Sequence, residues 1–236
     1  MKKRFLVYTG LGFLGTFLLV LSYGIWFVNN EFDKLESDDP LVWESVIKEF
    51  ERQDKLTPAK EDAVLFIGSS SIRFWRSLKE DMHPFPVLNR GFGGAKLNDI
   101  IYYADRLIFP YKPKRIVLFA GTNDITGREN DKTPNEVLRD FIKLDSLIHT
   151  RLPNTQIFYL PITPTKSRSY IWPLARKANN LISNYALGKD HITYIETSGY
   201  FLDDSGNIKG DLFWWDGVHL NKKGYQVWAR LVRKAL

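Results

Sequence analysis

Past residue 60 the chain alternates short unbroken apolar runs with longer stretches in which apolar residues recur every three or four positions. The clearest run is AVLFIG, residues 63–68. Successive strand side chains point to opposite faces, so an unbroken apolar run predicts a strand buried on both, as in a parallel sheet. FPVLNRG, RIVLFAG, QIFYLPI and HITYIET repeat the pattern and predict four more strands. The intervening stretches carry helix signals. TPNEVLRDFIKLDSLIHT opens on a capping box, Thr133 to Glu136, with Pro134 at the first helical position. Further helices are predicted within residues 172–188, over NKKGYQVWARLVRKAL, and upstream over LVWESVIKEFERQDK, where Leu41, Val42, Val46, Ile47 and Phe50 recur at a helical spacing. Strand–helix alternation over residues 41–236 predicts an α/β domain, a three-layer α/β/α sandwich on a parallel sheet. No internal repeat or low-complexity tract interrupts it.

The first thirty residues break this rhythm. Lys2, Lys3 and Arg4 precede an uncharged run from Phe5 to Val28. As a helix that run is about 36 Å long, enough to cross a ~30 Å hydrocarbon core with tilt. Tyr23 and Trp26 suit an aromatic belt at its far end, and the cations predict a cytoplasmic N-terminus with the rest of the chain extracytoplasmic. A cleaved signal peptide is the alternative, giving a secreted protein. Its apolar region is only about 7–15 residues and ends in a small-x-small site, for which Ser22-x-Gly24 is the nearest match. The longer run favours an uncleaved transmembrane anchor over residues 1–30, followed by an acidic linker over 31–40 and the folded domain over 41–236.

Composition narrows the function classes. Hydrophobic residues make up 44% and charged residues 25%, as in a globular protein. The net charge is +6, three of it from Lys2, Lys3 and Arg4. Lys112, Lys114 and Arg115 form a small cluster but no extended basic stripe, so no nucleic-acid partner is expected. The absence of cysteine excludes disulfides, thiolate metal sites, a Cys nucleophile and a lipoprotein anchor.

Candidate chemistry gathers at the strand ends, where open parallel sheets bind ligands. The first strand runs into Gly68-Ser69-Ser70-Ser71, the second into NRGFGG (89–94) and the third into AGTND (120–124). A serine at that first end, where SIRFWRSL begins a helix, sits beside unpaired N–H groups that favour an oxyanion; serine is equally a common N-cap. A serine nucleophile needs a base and the base an orienting group. His83, His149 and His191 are read as structural or surface residues. His219 stands in DGVHLN with Asp216 three residues earlier, a spacing at which the carboxylate can hold one imidazole nitrogen while the other points away.

Taken together, FIGSSSIRFW, NRGFGG, AGTND and DGVHLN resemble, in order and spacing, the four blocks of the SGNH hydrolase superfamily of GDSL-type esterases and lipases, over about residues 60–236. The resemblance implies a flavodoxin-like fold and a serine ester hydrolase needing no metal or cofactor. It assigns the nucleophile to Ser70, the base to His219 and the orienting acid to Asp216. The oxyanion hole falls on the Ser70 and Gly94 backbone N–H groups and the Asn123 amide. Ser69 stands where the family has aspartate, which leaves Ser69 and Ser71 as rival nucleophiles. Ser70 is preferred because it alone keeps the family offset from Gly68, making Ser69 a turn residue and Ser71 a cap. The substrate is expected to be a small-molecule, lipid or glycan ester. An acyltransferase using the same triad and a non-catalytic binding module are the alternatives. PITPTKSRSYIW (161–172) is expected to line the acyl or alcohol pocket, Trp214 and Trp215 to pack their loop or stack on a sugar, and Arg73, Trp75 and Trp228 to belong to helix faces or the core.

Overall fold

The apolar runs fold as the alternation predicts. The computed structural model describes residues 19–22, 24, 34, 35 and 37–236. Except for residues 19–22 and 24, the anchor read over 1–30 lies outside the described residues, as do residues 31–33 and 36 of the 31–40 linker. Among the described residues no helix is long and apolar enough to cross a membrane. The chain divides into two compact units, Met1–Val42 and Trp43–Leu236. In the first, residues 19–22, 24, 34 and 35 are helical and Leu19, Val20 and Leu21 are exposed.

The second unit begins its regular structure with α1 (Glu44–Leu56), then β1 (Val64–Gly68), the single turn α2 (Ser70–Arg73), the single turn α3 (Leu78–Asp81) and β2 (Val87–Gly91). There follow α4 (Leu97–Tyr102), α5 (Ala104–Leu107), β3 (Arg115–Phe119), α6 (Pro134–Arg151) and β4 (Gln156–Tyr159). The last three elements are α7 (Trp172–Ala186), β5 (Ile192–Tyr194) and α8 (Lys222–Ala235). All five strands pair in parallel, in the order β2-β1-β3-β4-β5. That is the flavodoxin-like order, whose switch point lies between β1 and β3.

Both sheet faces are covered. Val64, Phe66, Val117, Phe119 and Phe158 face one core with Trp75, Leu78, Tyr225, Trp228 and Val232. Alternate residues turn to the other face, where Phe141 of α6 meets Tyr159 edge-on with ring centroids 4.9 Å apart. Trp75 and Trp228 are buried, as expected, and Arg73 is exposed. Truncating such a buried indole to Ala typically costs about 3–5 kcal/mol. The capping box of α6 forms as read: Glu136 N–H donates to Thr133 Oγ1 at 3.4 Å and Thr133 N–H to Glu136 Oε2 at 2.8 Å. On the opposite edge, Arg106 binds both Glu44 and Glu51 and fastens α1 to the domain.

One predicted helix is corrected. SIRFWRSL does not run on as a helix but breaks after Arg73. The break lets Trp75 turn into the core, where its ring stacks on Tyr225 at 5.3 Å and its Nε1 donates to Asp81 Oδ2 at 2.7 Å. The cap is corrected too: Ser69, not Ser71, occupies the N-cap position of α2, without a side-chain capping bond.

Candidate active site

The site begins with a turn that only glycine allows. Gly68 ends β1 at φ +143°, and a Cβ there would lie 2.0 Å from the Phe119 carbonyl oxygen of β3. The backbone then reverses: Ser69 N–H donates to that same carbonyl at 3.0 Å, and Ser70 starts α2 half-exposed. Ser69 is buried inward, its Oγ without a hydrogen-bond partner. Of the three serines, Ser70 is thus the one aimed outward at the sheet's carboxyl end. Because α2 is a single turn, what it offers is a few unpaired N–H groups rather than a helix dipole.

Three loops are laced together here. Phe92 N–H donates to Gly68 O at 3.0 Å, tying the glycine stretch after β2 to the turn after β1. Asn89 Nδ2 donates to Ile72 O at 2.7 Å and its Oδ1 accepts from Gly91 N–H at 2.9 Å. Gly91 packs so closely that a Cβ would sit 2.4 Å from Arg73 N. Gly94 has φ +73°, a conformation suited to glycine. After β3, Asn123 Nδ2 donates to Ala95 O at 3.2 Å, which leaves its second proton unused. Asp124 beside it is buried; its carboxylate accepts from Leu97 N–H at 3.2 Å and pairs with Lys132 Nζ at 2.7 Å. The Ser70 and Gly94 backbone N–H groups donate to no acceptor among the described residues.

The Asp216–His219 segment is a tight turn. Asp216 Oδ1 accepts from Val218 N–H at 2.9 Å and His219 N–H at 3.0 Å. Its Oδ2 lies 2.6 Å from His219 Nδ1, and His219 Nε2 lies 2.8 Å from Ser70 Oγ. Partial burial pushes the Asp216 carboxyl up, but the bonds from the imidazole and the two backbone N–H groups outweigh it and hold the acid below its usual range. An ionised carboxylate only accepts, so Nδ1 carries the imidazole proton and Nε2 offers its lone pair to the Ser70 hydroxyl. Phe74 braces the ring edge-on at 5.1 Å. Below, Asn221 caps α8 through Lys223 and Gly224 N–H, fixing where the turn ends.

The other histidines stay away. His191 Nε2 pairs with Asp145 Oδ1 at 2.7 Å, His149 stacks on His191 at 4.1 Å, and His83 is exposed. The stretch 161–172 supports the site from behind. Ser167 Oγ donates to Asp216 O at 2.5 Å and Ser167 N–H to Gly217 O at 3.1 Å, while Arg168 Nη1 donates to Thr122 O at 2.9 Å beside Asn123. These two supports, and Phe74, escape sequence reasoning. Neither the apolar pattern nor a motif marks a serine that holds a backbone carbonyl 49 residues away.

Beside His219 opens a cleft of about 700 Å³ walled by Phe74, Trp214 and Trp215. The two tryptophans are 56% and 96% exposed, so neither packs the loop as a core residue does.

The chain matches the model of the GDSL-like lipase/acylhydrolase family over residues 68–227. A comparison with curated protein sequences returns no match. Among solved structures, one from Streptococcus pneumonia with the provisional name platelet activating factor is 20% identical, with a TM-score of 0.71 over 91% of this chain and 98% of that one. A GDSL-like lipase from Bacteroides thetaiotaomicron is 17% identical, with a TM-score of 0.66 over 80% and 96%. A catalytic mutant of an acetylxylan esterase from Geobacillus stearothermophilus is 15% identical, with a TM-score of 0.61 over 75% and 94%. At these identities the likeness is one of fold.

Proposed function

For a chain that belongs to the GDSL-like lipase/acylhydrolase family and is an ester hydrolase, we propose a Ser70-His219-Asp216 triad that cleaves carboxylic esters through an acyl-enzyme. The observation that carries this reading is the unbroken relay of 2.8 Å from Ser70 Oγ to His219 Nε2 and 2.6 Å from Nδ1 to Asp216 Oδ2. As Ser70 Oγ bonds to the ester carbonyl carbon, its proton passes to Nε2, and Asp216 stabilises the imidazolium. The carbonyl oxygen becomes an oxyanion met by the Ser70 N–H, the Gly94 N–H and the free proton of the Asn123 amide. The carbon–oxygen bond to the alcohol then breaks, and the alkoxide takes the proton from Nε2. Water enters, gives a proton to His219 and releases the acid, and the proton returns to Ser70 Oγ. The unpaired state of both backbone N–H groups supports their part in this hole, since it leaves them open to a developing oxyanion.

A fluorophosphonate probe tests the reading. The adduct is expected on residue 70, with the labelling rate and the kcat on a small ester falling about 10²–10³-fold in Asn123→Ala, as when one oxyanion donor is lost. No adduct, or one on Ser69 or Ser71, overturns it.

The N-terminal reading is carried forward as part of the proposal: residues 1–30 anchor the enzyme and the hydrolase domain faces the extracytoplasmic side. Its support is the uncharged run from Phe5 to Val28 behind Lys2, Lys3 and Arg4. A C-terminal reporter that works only outside the cytoplasm is expected to be active, in the membrane fraction. A silent reporter, with an active cytoplasmic one, reverses the orientation.

A further inference from the structure

Hydrolases of this kind are defined by the bond they break, whereas substrate choice resides in what surrounds it. The cleft beside His219 borders the imidazole and Phe74 but none of the oxyanion donors Ser70, Gly94 and Asn123. It therefore opens on the side where His219 hands its proton to the departing alcohol. The acyl group, held by the oxyanion hole, lies on the other side.

The chemistry of its walls is selective. Among the described residues no Leu, Ile, Val or Met lines it; the apolar surface comes from aromatic rings. An acyl chain or lipid tail gains its dispersion energy from walls that enclose it on all sides. These walls instead offer flat faces, with Trp215 96% and Trp214 56% exposed. The Trp214 backbone is tied to the catalytic turn, because Trp214 N–H donates to His219 O at 2.8 Å and Gly217 N–H to Trp214 O at 2.9 Å. Around the rings stand donors on Arg76 and Lys222, an acceptor on Asp81, and both on Gln226. Asp81 is oriented by Trp75 Nε1 at 2.7 Å and Ser77 Oγ at 2.6 Å, both on Oδ2, so that Oδ1 has no hydrogen bond among the described residues. Neither Arg76 nor Lys222 is engaged by a carboxylate among the described residues.

From this we infer that the cleft is the alcohol-side subsite of the triad and that it takes a carbohydrate, so that the scissile ester is an O-acyl group on a sugar. A pyranose has a face of C–H groups, partially positive, that lies against the negative face of an indole. Its rim of hydroxyls each donates and accepts, which is what the mixed polar edge supplies. The volume, about 700 Å³, accommodates an oligosaccharide rather than one ring. The inference rests on the triad proposed above and adds the identity of the alcohol.

The test compares esters that share an acetyl group and differ in the alcohol: O-acetylated cellotriose, an O-acetylated trimer of N-acetylglucosamine, and ethyl acetate, with lysophosphatidylcholine as the lipid arm. For the full-length chain, kcat/KM on at least one sugar ester is expected to exceed that on ethyl acetate about 100-fold. Trp214→Ala and Trp215→Ala are expected to lower the sugar-ester value about tenfold more than the ethyl-ester value, mainly through KM, with Trp215→Phe recovering most of the loss. An enzyme that labels on Ser70 and cleaves ethyl acetate, yet shows no preference for either sugar ester, overturns the inference. So does a preference for the lysolipid, or an equal fall on both acetyl esters in the tryptophan variants. Loss of labelling itself sinks the triad instead, so the two failures are told apart.

Discussion

Ser70→Ala is expected to lower kcat on a small ester by about 10⁵–10⁶-fold and to leave the fold intact. The hydroxyl accounts for nothing in the core: it is half-exposed, and among the described residues it bonds to His219 Nε2 alone. Removing it takes away the nucleophile and leaves the imidazole facing water, while the Asp216 bond to Nδ1 remains. Residual turnover then comes from the oxyanion donors acting on attacking water. The neighbouring serines make the contrast. Ser69 Oγ is buried without a partner, so Ser69→Ala removes an unsatisfied group and is neutral or slightly stabilising. Ser71 is buried and contributes its backbone carbonyl to Tyr225 OH at 2.9 Å, a bond that Ala keeps. Steady-state rates for the three variants, beside thermal melts, check this. Activity retained in Ser70→Ala, with loss in either neighbour, moves the nucleophile.

Gly68→Ala is expected to be the more damaging change to the molecule as a whole. At φ +143° an alanine is strained in any setting, and here its Cβ would meet Phe119 O at 2.0 Å. The strand cannot yield cheaply. Gly68 is in register with both Gly91 and Phe119, and its carbonyl accepts from Phe92 N–H at 3.0 Å. Backbone strain and overpacking together cost about 3 kcal/mol or more, lowering the Tm by roughly 6–12 °C for a domain of this size. Whatever relaxation relieves the clash also displaces Ser70, and a shift on the order of 1 Å costs about 10²-fold in rate. A melt and a fluorophosphonate labelling rate measured together test both halves. An Ala variant with unchanged melting and labelling refutes the account of this turn.

The strands were legible because burial on both sides of a parallel sheet leaves no polar position inside AVLFIG or IVLF, and such runs have few other readings. The α6 cap was legible because Thr133, Pro134 and Glu136 act within one turn. The nucleophile's place followed from its distance to Gly68, since the turn is local. What did not show was what distant segments do to one another. The break after Arg73 depends on Trp75 finding Tyr225, and the hold on Asp216 depends on Ser167; both partners lie far along the chain. Ser71 looked like a cap because serine often is one, but the strand hands over two residues earlier, at Ser69.

The hydroxyl and the base of this site stand 149 residues apart, with four of the five strands between or beside them. A chain emerging from the ribosome completes β1, β2 and β3, and with them the anion-binding end, long before residues 216–219 exist to sit there. Hydrolytic power therefore arrives late in synthesis, after the sheet is in place, and half-made copies carry an inert alcohol rather than a reactive one.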